Sequence, residues 1–443
     1  MKKIIFLIFL FLSTMVDCSC DAAGASVLVG NSPLDLQAAQ RIALANNPTL
    51  AVAAERITEA RQRIKQVRAL YYPKLDLTGI TSWSRISENS SILRGDRDVE
   101  YSKVSLIASW QVFDGFSRKF QALIAEYSAG QSELARRDGQ RLLLQSVAEA
   151  YYNCHFALSR RRIAGADSSF NRQELERAEI LYKQGSGSLS NVLNFKVQIN
   201  RAKRDVLLAD RDYAAALDSL MVLLGLGDEE IEKGVRLARL EMVGKDKFLA
   251  YDLKYLIKTA LQLRPDYNAS RMELDRRKAV IGRARAPFYP QLSLRASFAG
   301  EHPDDWYVEG DDFGTTVALS LSYNLYHGGA DKASLLESKA AWRGSQKKLL
   351  AAENRIRGEV RTAYTNLQSA RQQLVLQKAS TELVTKTRDL VKSGYEGGQE
   401  SLVRLNGAQR DLVRTRSDLA LSLVGLYRCR TRLKAATGEI LLP

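Results

Sequence analysis

Proline is absent from positions 74 to 264 and again from 304 to 442, so all eight prolines except Pro443 fall into two clusters. An internal proline costs a helix about 3 kcal/mol, whereas compact domains of this size ordinarily use proline in their turns. Two proline-free runs of this length therefore point to very long helices. The 26% charged and 45% apolar content excludes both a disordered chain and a bundle of transmembrane helices. Four cysteines are too few for a disulfide scaffold.

The proline clusters belong to a unit that occurs twice. Pro48, Tyr72 and Pro73 recur 217 positions later as Pro265, Tyr289 and Pro290, with Leu75 and Leu77 recurring as Leu292 and Leu294. Further on the offset is 213, relating Phe113-Asp114-Gly115 to Tyr326-His327-Gly328, Ala150-Tyr151 to Ala363-Tyr364, and Gly225 to Gly438. The change from 217 to 213 places a shorter loop between Pro290 and Tyr326. Matching Gly185 to Gly394 gives 209, which implies a second length change near the end of the long helix. The expected organisation is a targeting segment at 1–25, a first repeat at 26–225, a connecting segment at 226–250, a second repeat at 251–438 and a tail at 439–443.

Each repeat reads in the same order. A helix at 34–70 or 252–286 ends before the Tyr-Pro pair, because a residue preceding proline is pushed out of the helical region. A strand follows at 74–83 or 291–298, then a polar loop, then a longer strand at 101–113 or 315–326. Next comes a very long helix, 117–184 or 330–393, which turns at a Gly/Ser cluster and returns as another helix. At about 1.5 Å per residue the outgoing helix reaches roughly 100 Å.

The strands alternate with a period of two. Val104, Leu106, Ala108, Trp110 and Val112 share one face, opposite Lys103, Ser105, Ile107, Ser109 and Gln111. In the second repeat Val317, Leu319, Leu321, Tyr323 and Leu325 oppose Thr316, Ala318, Ser320, Ser322 and Asn324. Tyr71, Tyr72, Phe288, Tyr289 and Tyr326 gather at the strand ends nearest the helices, as in an interfacial aromatic belt. A soluble sheet packed on one face would alternate too, yet no apolar segment nearby is left to cover it. Four strands cannot close a barrel, and an open sheet edge cannot stand in lipid, so a membrane role requires several copies.

At the N-terminus Lys2 and Lys3 precede an apolar run at 4–12, and Ala23-Gly24-Ala25 supplies small residues before a cleavage point, which reads as a secretory signal peptide. Cys18 and Cys20 follow sequences that match a lipobox poorly, and lipidation there is left open. The three histidines, His155, His302 and His327, show no metal-ligand or catalytic spacing, so neither an enzyme, a metal site nor a cofactor is expected. The net charge of +15 is dispersed among acidic neighbours, as in Arg172-Gln173-Glu174-Leu175-Glu176-Arg177, and suits a solvated helical face rather than a nucleic-acid surface. Cys154 and Cys429 each lie 30 residues from a tip, a height that permits a disulfide without requiring one.

The signal peptide and the doubled order of helix, Tyr-Pro, hairpin, Phe-Asp-Gly or Tyr-His-Gly, and helical hairpin resemble the TolC family of outer-membrane export channels. The resemblance covers about 34–438 and includes Ala43-Leu44-Ala45-Asn46-Asn47-Pro48, its partner Ala260-Leu261-Gln262-Leu263-Arg264-Pro265, and the tip sequences around Gly185 and Gly394. It implies a mostly α fold with a small β part: long tandem helical hairpins forming an α-barrel, and four strands per chain contributing to an oligomeric transmembrane β-barrel. It further implies a homotrimer in the outer membrane of a Gram-negative bacterium, extending into the periplasm. Such a trimer would serve as a passive conduit for multidrug efflux or type I secretion and would dock on a periplasmic adaptor and an inner-membrane pump. Val104, Leu106, Trp110, Val317, Leu319, Leu321 and Tyr323 would then face lipid. The tips, Gly185, Ser186, Gly187, Ser188, Gly394, Tyr395, Gly397 and Gly398, would form the periplasmic aperture and the adaptor contact. The alternative is a soluble periplasmic coiled-coil scaffold with the hairpins as small capping sheets.

The resemblance also carries an expectation about charge. Positions that hold acids at the aperture of some family members fall here on Arg404 and Gly407. Either Arg404 faces the opening, where three copies would form a cationic ring, or it points outward and pairs with Glu400 four residues earlier. The inter-strand loops, 84–100 and 300–314, are expected outside the cell, the second carrying Glu301, Asp304, Asp305, Glu309, Asp311 and Asp312 as a polar rim.

Overall fold

A computed structural model describes residues 33–86, 97–226, 236–240, 252–303 and 308–442. The signal segment with Cys18 and Cys20, most of the connecting segment, and the loop centres with Asp304 and Asp305 lie outside the described residues.

The first repeat runs α1 (Leu36–Asn46), α2 (Pro48–Ala69), β1 (Lys74–Ile86), β2 (Arg97–Asp114), α3 (Ser117–Lys183) and α4 (Leu189–Leu224). The second runs α5 (Leu253–Leu263), α6 (Pro265–Ala284), a short 3₁₀ turn (Ala286–Phe288), β3 (Gln291–Pro303), β4 (Phe313–Ser322), α7 (Ala330–Glu396) and α8 (Leu402–Thr437). Both long helices have 67 residues, and both returning helices have 36.

The first helix of each repeat, expected to be continuous, is broken. Asn47 and Arg264, immediately before a proline, adopt extended ψ values of 120° and 121°, and the proline opens the next helix at its first position. The break is a docking point. Asn47 Nδ2 donates to Leu223 O at 3.1 Å, and Arg264 donates to Ala436 O at 3.3 Å, so each repeat uses the residue before its proline to cap the carbonyl end of its own returning helix. Gly225 and Gly438 end those helices in the left-handed region, with φ of 70° and 81°. A Cβ on Gly225 would stand 2.6 Å from Asn46 O, so its bare backbone is what lets the helix end seat on the break.

The apolar core is distributed rather than central. One cluster joins α1, α3 and α4 around Val147, Leu220 and Leu224, a second joins α5, α7 and α8 around Leu256, Ile356 and Val360, and a third lies near the tips around Phe195 and Leu405. Cys154 and Cys429 belong to different clusters and are free thiols, so the disulfide is absent. The Cys154 Sγ donates instead to Ala216 O at 3.1 Å. Leu34 makes a parallel bridge to Leu237, tying the described part of the connecting segment to the start of the first repeat.

Candidate functional site: a two-faced sheet on helical hairpins

The strands form one antiparallel sheet in the order β1-β2-β3-β4, so the central pairing joins the two repeats and β1 and β4 are left as edges. Directly opposed residues share a face. Leu77 pairs with Leu106, Leu106 with Phe298, Ala296 with Val317, Trp110 with Leu294, and Leu294 with Leu319. The apolar positions of all four strands therefore merge into one continuous surface. A bulge between Gln111 and Phe113 shifts the register by one residue, so that Phe113 rather than Val112 stands opposite Leu292. Among the described residues nothing covers this surface: Leu319 and Leu321 are 66% and 70% exposed, and Val104, Leu106, Trp110 and Val317 are exposed beside them. β4 stops at Ser322, so Tyr323, expected within the strand, lies one residue past it. The opposite face is polar and internally bonded, with Thr78 Oγ1 2.6 Å from Ser105 Oγ and Lys103 Nζ 2.9 Å from Glu301.

Where the sheet meets the helices, Arg118 is the organising residue. Its guanidinium donates to Asp114 Oδ2 at 3.1 Å, to Leu70 O at 3.1 Å and to Val112 O at 3.0 Å, and lies over the Tyr71 ring at 4.9 Å. Phe116, with φ of 68°, is the one non-glycine in the left-handed region among the described residues, and the second repeat has Gly329 at the equivalent place. Its ring stands edge-on to Phe113 and Tyr289, at 5.2 and 5.7 Å. The second repeat exchanges the acidic and basic positions, with His327 in place of Asp114 and Asp331 in place of Arg118, their side chains 3.4 Å apart. Exposed Tyr71, Tyr72, Phe288, Tyr289 and Tyr326 surround this junction. Sequence reasoning missed Arg118; the signal was its position four residues after Asp114, across the strand-to-helix turn.

At the far end the two tips are the same turn. Gly185 N bonds to Tyr182 O, and Ser186 N and Gly187 N to Leu181 O; 213 residues later Gly398 N bonds to Tyr395 O, and Gln399 N and Glu400 N to Gly394 O. Gly185 and Gly398 have φ of 74° and 75°. Gly185 therefore corresponds to Gly398, not to Gly394, which lies inside α7 and matches Leu181. The offset of 213 holds throughout the helical hairpin, and the second length change inferred from Gly394 does not exist. Ser188 and Ser401 begin the returning helices, their hydroxyls accepting from Ser190 N at 3.1 Å and Arg404 N at 3.2 Å. Tyr395 and Gly397 lie in the last turn of α7 and just beyond it. Arg404 Nε is 3.3 Å from Glu400 Oε2, the paired arrangement rather than a lone cation. Above the tips, buried Glu174 meets Lys392 at 3.0 Å and Arg177 meets Glu396, joining α3 to α7.

His155, His302 and His327 lie on different elements, and among the described residues no group of His, Cys, Asp or Glu is placed to hold a metal. His302 Nδ1 contacts Asp312 at 2.9 Å in the acidic hairpin end. No described helix is long and apolar enough to cross a membrane.

Comparison with known proteins bears on the same architecture. A family model described as outer membrane efflux protein matches residues 40–226 and 256–439, one block per repeat. The chain is 27% identical over 428 residues to the probable efflux pump outer membrane protein TtgC of Pseudomonas putida, covering 91% of this chain and 81% of that protein. It is 26% identical over 387 residues to the cation efflux system protein CusC of Escherichia coli, covering 85% and 80%. Among solved structures, it superposes on CusC with a TM-score of 0.78 at 21% identity, covering 93% and 95% of the two chains. It superposes on the CmeC outer membrane channel of Campylobacter jejuni with a TM-score of 0.80 at 16% identity, covering 91% and 85%.

Proposed function

Since this chain belongs to the outer membrane efflux protein family, we propose that it is the passive outer-membrane conduit of a tripartite export system, reaching into the periplasm on its helical hairpins. The observation that carries the reading is the two-faced, unclosed sheet. Among the described residues its continuous apolar surface has no partner, its other face is polar, and its β1 and β4 edges are both free. Lipid solvates the first face and water the second only if the edges are closed, because unpaired strand backbone cannot stand in hydrocarbon. Three copies supply twelve strands, against about eight needed for a small closed barrel, and leave an aqueous lumen.

The α3/α4 and α7/α8 hairpins, each about 100 Å along the outgoing helix, continue that lumen away from the membrane. Their tips at Gly185 to Ser188 and Gly397 to Ser401 are the surfaces offered to a periplasmic adaptor, and through it to an inner-membrane pump. Glu400 neutralises Arg404 at this aperture, so the pair adds no net charge to the rim. A wide conduit of this kind contributes no chemistry, and recognition of the exported compound rests with the pump.

The test is location and assembly. The protein should fractionate with the outer membrane as a detergent-dependent, heat-modifiable trimer, and a cysteine at Asp311 should react with impermeant thiol reagents on intact cells. A soluble, detergent-free protein would end the channel reading in favour of a scaffold. Labelling of Asp311→Cys only after outer-membrane disruption would reverse the orientation.

A further inference from the structure

The polar face of the sheet is not electrically balanced. Its described charged residues are Lys74, Asp76, Lys103, Asp114, Arg295 and Glu301. Lys74 lies 2.8 Å from Asp76 and Lys103 2.9 Å from Glu301, while Asp114, at the end of β2, is held by Arg118 at 3.1 Å. Arg295 is left over. It stands in mid-strand with Ser109 opposite on β2 and Ala318 opposite on β4, and it makes no ion pair or hydrogen bond with another described residue. The surrounding positions on this face, Ile107, Gln111, Ser293, Ser297, Thr316 and Ser320, are all neutral.

Its depth makes the placement informative. Leu294 and Ala296, the residues on either side of Arg295, belong to the apolar surface and pair with Leu319 and Val317, so Arg295 lies level with the band that meets hydrocarbon. A cation there on the lipid side would cost about 2–4 kcal/mol, and one on the lumen side little. Strand alternation puts it on the lumen side. A fixed charge in a water-filled passage with low-dielectric walls acts on passing ions more strongly than the same charge on an open surface, because the walls confine its field.

We infer that Arg295 is a specificity-determining residue of the membrane-spanning sheet, an unbalanced cation that favours anionic over cationic solutes in transit. The inference rests on the channel reading above. In a symmetric assembly it is repeated once per chain, giving a ring of guanidiniums at one level of the barrel.

Reversal potentials of the purified channel in planar bilayers under a salt gradient test it. Arg295→Ser should raise the cation-to-anion permeability ratio at least about twofold, Arg295→Glu should raise it further, and Arg295→Lys should leave it in place. Modification of preassembled Arg295→Cys channels with a cationic thiol reagent should return the ratio to that of the unmodified protein, which separates the charge from any effect on folding. Open Ser and Glu variants with an unmoved ratio, or no recovery on cationic modification, would overturn the inference while leaving the conduit intact. Absence of conductance from the unmodified protein would remove the conduit, and this inference with it.

Discussion

At the scale of single residues, two buried groups outside the membrane region govern stability. His155 in α3 is buried with its ring against Tyr151 at 4.7 Å and no partner for Nε2. Burial, with help from the nearby charge of Arg162, pushes its imidazole down from 6.5 to about 4. The unfolded chain takes up the proton near pH 6.5 and the native chain only near 4, so stability is complete above about 6.5 and falls as the pH drops toward 4. The loss is about 3 kcal/mol per chain at about 1.4 kcal/mol per unit. Denaturation midpoints from pH 7 to 4 should therefore be less pH-dependent in His155→Phe; an unchanged slope would show that His155 is not the group responsible. Arg264, 2% exposed, holds Asp266 at 2.8 Å and Glu359 at 2.5 Å while capping Ala436 O. Arg264→Ala should cost about 1–3 kcal/mol, because it leaves a helix-end carbonyl without its donor and Asp266 with Arg355 alone. Arg264→Asn, copying Asn47 of the first repeat, should recover part of that in chemical denaturation by restoring the carbonyl bond.

At the scale of elements, the tips are two copies of one turn, and each has one glycine in the left-handed region. A side chain at Gly185 or Gly398 would meet nothing within 4 Å, so the cost of alanine there is the left-handed backbone alone, about 1 kcal/mol. Gly394 is helical, and a Cβ on it would meet only the flexible Glu400 side chain. Gly185→Ala and Gly398→Ala should each accelerate amide exchange at their own tip by a similar factor, roughly fivefold for 1 kcal/mol, while Gly394→Ala should not. Equal exchange in Gly394→Ala and Gly398→Ala would contradict the constant offset of 213 between the hairpins.

At the scale of the whole molecule, two adjacent residues of β4 face opposite solvents. Leu319 belongs to the apolar surface, and Ser320 to the polar face. Leu319→Arg should cost about 2–4 kcal/mol in the membrane and reduce the yield of heat-modifiable assemblies, whereas Ser320→Arg should assemble normally. If both variants assembled alike, the assignment of the two faces would fail.

Much of this was legible in the chain itself. The proline-free runs announced the long helices, since nothing else of that length excludes proline so thoroughly, and period-two alternation assigned Leu106 and Leu319 to one face before any register was known. The family followed from the doubled order of Tyr-Pro, hairpin and helical hairpin. Other features lay beyond local pattern. The breaks at Asn47 and Arg264 depend on carbonyls at Leu223 and Ala436, more than 170 residues away in each case. The tip register was misread because Gly394 and Gly398 both suit a turn by composition, and only the backbone hydrogen bonds distinguish the left-handed glycine from the helical one. Cys154 and Cys429 could share a height without facing each other, since spacing along a helix gives height but not azimuth. The lone charge of Arg295 became visible only when strand pairing brought Lys103 to Glu301, Lys74 met Asp76 along β1, and Arg295 was left without a counterion. Periodicity and backbone propensity act over a few residues and are written in sequence; which distant groups meet, and which are left unmet, is decided by the packing of the folded chain.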